Sequence, residues 1–164
     1  MVDGVATPIL HVSQLAFALG LPAPEGGDAT RLAWETLPLL RAWLDRVRPL
    51  DLTAPVPQSR GRTLRNLTVN VFHPFELLPA AWATGEFPWE PERDDERERA
   101  LGDVVAYAGN ILADWTDFVL EFGGGDRSVT SPRGEVSFSA LLESQRDHVA
   151  FHLDQVVAFL GEPG

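Results

Sequence analysis

Residues 137–161, SFSALLESQRDHVAFHLDQVVAFLG, decide the fold predicted for this chain. At the helical advance of about 100° per residue, one stripe combines apolar side chains with two histidines. The stripe comprises Phe138, Leu141, Gln145, His148, Val149, His152, Gln155, Val156 and Phe159. The opposite face carries Glu143, Arg146, Asp147 and Asp154. The pattern therefore predicts an amphipathic helix that turns two imidazole rings toward a core.

The spacing of His148 and His152 suggests a shared metal ion. Residues four apart on a helix have Cβ atoms about 5 to 6 Å apart, which allows both rings to bind one ion. The usual metalloprotease motif has Glu directly after the first histidine, whereas Val149 stands here, so a peptidase is disfavoured. The alternative, that both rings are satisfied by hydrogen bonds in the core, stays open.

Length and composition indicate a single soluble domain. The chain has 164 residues, of which 45% are hydrophobic and 23% charged. We divide it into an N-terminal arm at 1–27 and a helical domain at 28–164. The net charge of −11 disfavours nucleic acid and anionic membranes as partners, because such a surface repels phosphate groups.

Two residue types are missing from the chain. Without cysteine there is no disulfide, thiolate nucleophile or sulfur ligand, so a metal must bind nitrogen or oxygen. Without lysine, a Schiff-base mechanism is excluded. The first residues lack a positively charged leader, and the apolar stretch at 9–21 is too short to span a bilayer. We therefore expect a cytoplasmic protein.

Three further helices are predicted from apolar periodicity, at 28–48, 63–84 and 94–122. Pro/Gly-rich segments separate them, and 126–136 could hold a short hairpin. Together with the last helix they predict an all-α four-helix bundle, a fold that builds metal sites from core side chains. The charged run at 92–99 is interpreted as a solvated helix face.

A third metal ligand is sought among the remaining histidines. His73 lies in the second helix, where Pro74 should disfavour helical backbone at His73. His11 lies in the arm and is interpreted as packing or surface. Three histidines would leave coordination positions open on zinc or a similar ion, as a catalytic site requires. Gln155 and Glu76 could orient the rings as second partners.

The chain resembles the DinB-like superfamily in two features. Its second helix contains one histidine, and its last helix contains the run Arg146-Asp147-His148-Val149-Ala150-Phe151-His152-Leu153-Asp154-Gln155. This superfamily includes S-transferase-like proteins that use bacillithiol, mycothiol or glutathione, and the metal-binding part of mycothiol-dependent maleylpyruvate isomerase. The resemblance covers roughly residues 28–160. It implies an atypically connected four-helix bundle, often a homodimer, with a divalent ion such as zinc or nickel held by three histidines, here His73, His148 and His152.

The second helix departs from the family pattern. Relatives carry a turn resembling Trp-Thr-Val-Arg-Asp-Leu before the first ligand, and the matching residues here are Arg62-Thr63-Leu64-Arg65-Asn66-Leu67. This match places Asn70 where the family has histidine, with His73 one turn further on. Asn70 is therefore a possible substitute for His73 as the third ligand.

Three functions follow as hypotheses. The first is a metal-dependent thiol S-transferase, in which the ion activates a low-molecular-weight thiol for attack on a small electrophile. Arg60 and Arg62 could then bind a carboxylate. The second is a non-enzymatic bundle that binds a small apolar ligand or a second copy, and the third is a metal-assisted hydrolase. The sequence identifies no catalytic residue beyond the candidate ligands.

Overall fold

The computed structural model describes residues 28–161, and this part of the chain is mostly helical, as predicted. Its helices are α1 (Asp28–Val47), α2 (Leu64–Thr84), α3 (Asp94–Arg99), α4 (Val104–Glu121) and α5 (Phe138–Leu160). Two small antiparallel hairpins pair β1 (Pro55–Val56) with β2 (Arg62–Thr63), and β3 (Ser128–Ser131) with β4 (Gly134–Ser137). Single 3₁₀ turns lie at Pro57–Ser59 and Pro91–Arg93.

Side-chain caps fix where the helices begin. The hydroxyl of Thr63 accepts a hydrogen bond from the amide of Asn66, and Ser137 caps α5 through the amide of Ala140. Asp103 likewise accepts from the amide of Ala106 at the start of α4. These caps satisfy amides that have no partner within their own helix. The starting points of α2, α4 and α5 are thus set by local sequence.

The four long helices surround one apolar core. Among these four, α1 packs against α5 and α4, and α2 packs against α4 and α5. The helix pairs α1/α2 and α4/α5 therefore occupy opposite corners, although each pair is consecutive among the long helices. Large aromatic side chains cross the centre: Trp43 donates to Thr68 at 3.0 Å and Trp115 donates to Thr36 at 2.7 Å. The core thus contains indole groups whose N–H donors are satisfied.

The predicted third helix is wrong in one respect, because it is two helices. α3 ends at Arg99 and α4 begins at Val104. Gly102 is a poor helix former, and the adjacent Asp103 starts a new helix by capping it. The side chain of Arg65 further stabilises the break by donating to the carbonyls of Glu98, Leu101 and Gly102.

The prediction for the backbone at His73 is also wrong. α2 continues as helix through His73, Pro74 and Pro79. Proline removes one backbone donor from a helix, but burial of neighbouring apolar side chains such as Phe72 and Phe75 outweighs that cost here. The local preference of a residue before proline is thus overridden by packing.

The remaining predictions concern the connecting segments and the N-terminal arm. The hairpin predicted at 126–136 is present as β3 and β4, and the loop predicted before α2 contains the β1–β2 hairpin. The arm at 1–27, with His11, lies outside the described residues. Within residues 28–161, no helix is both long and apolar enough to cross a bilayer.

Candidate functional site

A buried carboxyl group forms the centre of the candidate site. Asp94, the first residue of α3, is only 2% exposed. Its oxygens accept hydrogen bonds from Asn70 Nδ2 at 2.8 Å, His73 Nδ1 at 2.9 Å and Trp89 Nε1 at 3.3 Å. Three donors from two segments therefore converge on one acidic side chain, as a buried acid requires.

Polar contacts between α2 and α3 hold Asp94 in place. Asn66, on α2, donates to Asp95 at 2.7 Å and to Glu98 at 2.9 Å. Arg65 forms an ion pair with Glu98 at 3.0 Å in addition to its hydrogen bonds with the α3–α4 turn. The charged run interpreted as a solvated face is thus partly wrong, because one side of α3 binds α2.

His148 and His152 lie side by side on α5. Their ring centroids are 4.7 Å apart and the planes are nearly perpendicular. His152 is buried and His148 partly buried. The ring of His148 also lies 5.7 Å from the Trp89 ring, so Trp89 contacts both the histidine pair and Asp94.

The protonated nitrogen of His152 follows from its neighbours. Gln155 Nε2 donates to the backbone carbonyl of Gln58 at 2.9 Å, which orients Gln155 Oε1 toward His152. That oxygen lies 2.6 Å from His152 Nδ1 and can only accept. His152 Nδ1 therefore carries the proton, and the lone pair of the neutral ring resides on Nε2.

His148 has an unsatisfied nitrogen. Among the described residues, no hydrogen-bond partner lies within reach of its buried Nδ1. Burial lowers the pKa of His148 to about 4, and the neighbouring His152 and Arg62 contribute while Asp94 opposes. Burial also lowers the pKa of His152, against the Gln155 hydrogen bond. Both rings are thus neutral at physiological pH, the state in which imidazole binds metals.

Arg62 places a positive charge near the pair. Burial and repulsion from Arg60 lower the pKa of Arg62, whereas Asp95 and Asp94 oppose this shift. Its Nη2 donates to Ser59 Oγ at 2.9 Å, but its buried Nε finds no hydrogen-bond partner among the described residues. Arg62 therefore carries a buried donor that its neighbours leave unsatisfied, and a carboxylate is the kind of group that would satisfy it.

The structure separates the environment of His73 from that of the histidine pair. With Nδ1 on Asp94, His73 Nε2 lies 3.8 Å from Glu76 Oε1. Glu76 in turn accepts from Tyr107 at 2.9 Å and Arg97 at 3.0 Å. Burial and Glu76 raise the pKa of Tyr107. Of the two predicted second partners, Gln155 thus contacts His152, and Glu76 lies beside His73.

The three predicted ligands do not form a preassembled triad. Within 28–161, no group of three or more His, Asp or Glu side chains is arranged to hold one metal ion. Asn70 commits its amide nitrogen to Asp94, which leaves Oδ1 as its only atom that could serve as a ligand. The residues that fit a metal directly are the two neutral rings, His148 with its unpartnered buried nitrogen and His152 with its oriented one.

Sequence reasoning missed Asp94 and Trp89 as parts of this site. Asp94 belongs to a run in which acidic and basic residues alternate without apolar periodicity, so nothing in the run distinguishes the buried acid from its exposed neighbours. Trp89 lies in a loop between Pro88 and Pro91, where no apolar periodicity indicates which way it faces. The one indication in the sequence was that Trp89 and Asp94 lie close to each other in the segment that follows α2.

The site thus combines neutral nitrogen bases, a buried acid and a partly buried guanidinium. This combination can bind a cation at the rings and an anion at Arg62. No protein-family model, curated protein or solved structure matches the chain.

Proposed function

We propose that this chain is a DinB-like four-helix bundle that uses a divalent metal ion, zinc or nickel, for thiol S-transfer. The observation that carries this proposal is the pair of adjacent neutral rings, His148 and His152, one with a hydrogen-bonded tautomer and one with an unpartnered buried nitrogen. The arrangement of α1 and α2 at opposite corners also supports the atypical connectivity implied by the family resemblance.

His148 and His152 would hold the ion, with Asn70 Oδ1 or His73 from α2 as the third ligand. A divalent ion bound there supplies Lewis acidity that lowers the pKa of a low-molecular-weight thiol into the neutral range. In the transfer itself, the thiolate sulfur forms a bond to an electrophilic carbon and the leaving group departs with its electron pair. The transferase would act as the homodimer that the resemblance implies, and Phe151, 60% exposed on α5, offers apolar surface for a second copy.

The chain's own residues would orient and shield the reaction. Gln155 holds the His152 ring in one tautomer, and Trp89 covers the His148 ring. Arg62 would bind a carboxylate of the thiol or the electrophile through its unpartnered Nε. These groups act by binding and positioning. Because the chain contains no cysteine, the reacting sulfur would come from the thiol substrate.

Elemental analysis of protein purified without added metal tests this function. We expect about one divalent ion per chain. The ion should be lost in His148→Ala and in His152→Ala, and it should be retained in the matched control, His11→Ala. Comparison of Asn70→Ala with His73→Ala identifies the third ligand. Turnover of a chromogenic electrophile should require both the ion and a thiol such as glutathione, mycothiol or bacillithiol. Turnover without thiol would instead favour metal-assisted hydrolysis.

A second candidate function is supported by the same geometry without a metal. The hydrogen bond between His152 and Gln155 needs no ion, and it favours a non-enzymatic bundle that binds a small apolar ligand or a second copy. In that case purified protein would contain no stoichiometric metal, and a chelator would leave its thermal stability unchanged.

A further inference from the structure

A separate cavity opens beside the histidine pair. Its volume is about 190 Å³, and it lies between the loop after α2, the β3–β4 hairpin and the first turns of α5. Phe87, Trp89 and Leu141 provide apolar walls. Its polar lining residues are Ser131, Arg133, Ser144 and Gln145. An apolar cavity of about 150 Å³ is sufficient to bind benzene, so this one matches a single substituted ring.

Backbone hydrogen bonds hold the walls of this cavity together. The amide of Phe87 donates to the carbonyl of Thr130 at 2.9 Å, and the amide of Thr130 donates to the carbonyl of Gly85 at 2.8 Å. Phe87 itself is only 2% exposed and is part of the core. The cavity is therefore preformed rather than dependent on a moving loop.

One wall carries a hydrogen-bond acceptor without a partner. Gln145 is 3% exposed, and no donor among the described residues reaches its Oε1. A buried carbonyl oxygen without a donor destabilises the protein, and a native structure rarely retains one without a reason. A ligand that brings an O–H or N–H group to Gln145 would satisfy this oxygen.

The cavity is connected to the candidate site through shared residues. Trp89 lines the cavity and also contacts the His148 ring, with centroids 5.7 Å apart. Gln145 lies one helical turn before His148 on the same face of α5. A molecule in the cavity would therefore contact Trp89, which in turn contacts the His148 ring.

We propose that this cavity binds a small planar aromatic molecule that carries a hydrogen-bond donor, with the donor on Gln145 Oε1 and the ring beside Trp89. Its assignment as the binding site for the electrophile rests on the function proposed above, whereas the binding itself does not. The ligand class is thus a hydroxylated or amino-substituted aromatic compound rather than an aliphatic one.

Phenol and toluene are the probes that test this binding, because they differ only in the donor group. Amide and indole resonances of the full-length protein would be followed by two-dimensional ¹H–¹⁵N NMR, with Trp89 assigned from Trp89→Phe and the Gln145 side chain from Gln145→Leu. We expect phenol to shift both resonances with a Kd on the order of 1 mM. Toluene should shift Trp89 with about fivefold weaker affinity, since it forms no hydrogen bond.

Two substitutions separate the hydrogen bond from the cavity. In Gln145→Leu the preference for phenol over toluene should disappear, whereas toluene binding persists. Ala140→Phe places a ring in the cavity from an exposed position and should weaken both probes at least tenfold. Ala113→Phe, at an exposed position on α4, is the matched control and should bind both probes normally.

Several results would overturn this binding site. They are the absence of any shift at Trp89 with either probe, unchanged binding in Ala140→Phe, or a phenol preference that survives in Gln145→Leu. Failure of the proposed metal function has a different signature, since all titrations are performed in the presence of chelator. Normal phenol binding by protein that never contains metal would retain the cavity and reject the transferase.

Discussion

The histidines of the candidate site occupy two contrasting environments. His73 has a buried carboxyl oxygen 2.9 Å from its Nδ1, and that same acid also binds Asn70 and Trp89. His148, by contrast, has a buried Nδ1 without a partner among the described residues, and its pKa is lowered to about 4. Trp89 touches both environments, so the contrast arises within a few ångströms of one indole ring.

This contrast separates a structural role from a functional one. The Asp94 network is satisfied, which means that its members stabilise one another and join α2 to α3. In the histidine pair, Nδ1 of His148 is unsatisfied, and a native protein retains such a group where a ligand or an ion completes it. We therefore expect substitutions in the first region to cause the largest losses of stability, and substitutions in the second region to affect binding in addition to stability.

The largest expected effect comes from removing the shared acid. Asp94→Ala would leave the buried donor of Asn70 and the partly buried donors of His73 and Trp89 without this acceptor, so the free energy of unfolding should fall by about 4 kcal/mol. Urea denaturation of metal-free protein measures this change.

Asp95→Ala is the matched control for that experiment. Asp95 is exposed, and its partner Asn66 retains Glu98 as a second acceptor, so we expect a loss below about 1 kcal/mol. Equal losses in the two variants would contradict the central role of Asp94.

The pH dependence of stability tests the second environment, that of His148. The pKa of His148 is about 4 in the folded protein and ordinary in the unfolded chain, so the unfolded state binds more protons between about pH 4 and 6.5. Stability from this group is therefore complete above pH 6.5 and is lost as pH falls toward 4. The loss is on the order of 3 kcal/mol.

Comparison of the parent protein with His148→Gln isolates this contribution from other titrating groups. Unfolding free energies would be measured in chelator at pH 7 and pH 4.5. The variant should lose less stability on acidification than the parent. Identical losses would show that His148 titrates normally in the folded state.

The smallest expected effect concerns the orientation of His152. Gln155→Leu removes the acceptor for His152 Nδ1 and should cost about 1 kcal/mol of stability. It should also allow the second tautomer, which ¹⁵N chemical shifts of the ring report directly. Gln58→Leu keeps the backbone carbonyl that orients Gln155, so its His152 ring should remain in the original tautomer. A mixed tautomer in the parent would contradict this orientation.

Much of the helical framework could be predicted from the sequence. The stripe on α5 is reproduced by burial of Phe138, Leu141, Gln145, Val149 and His152, because helical periodicity and apolar burial operate over the whole segment. Local chemistry also set several helix ends, as at Ser137 and Gly161. Long-range order of the helices, with α1 and α2 at opposite corners, is not encoded in any such local signal.

The candidate site was less predictable for a physical reason. The burial of Asp94 depends on three donors that come from α2 and from the loop that follows it, and no spacing within residues 92–99 records them. The unpartnered atoms of Gln145 and His148 are likewise properties of the packed molecule. Sequence patterns identify which residues face inward, but only packing decides which of them find partners.

The two backbone hydrogen bonds between the Phe87 loop and β3 also affect the rate of ligand release. Because they join both sides of the cavity into one unit, a bound ring would leave past the exposed side chains at its mouth, such as Arg133. Rotamer changes of exposed side chains take picoseconds to nanoseconds, whereas loop opening can take microseconds or longer. Occupants of this cavity should therefore exchange rapidly, and their release would not limit turnover.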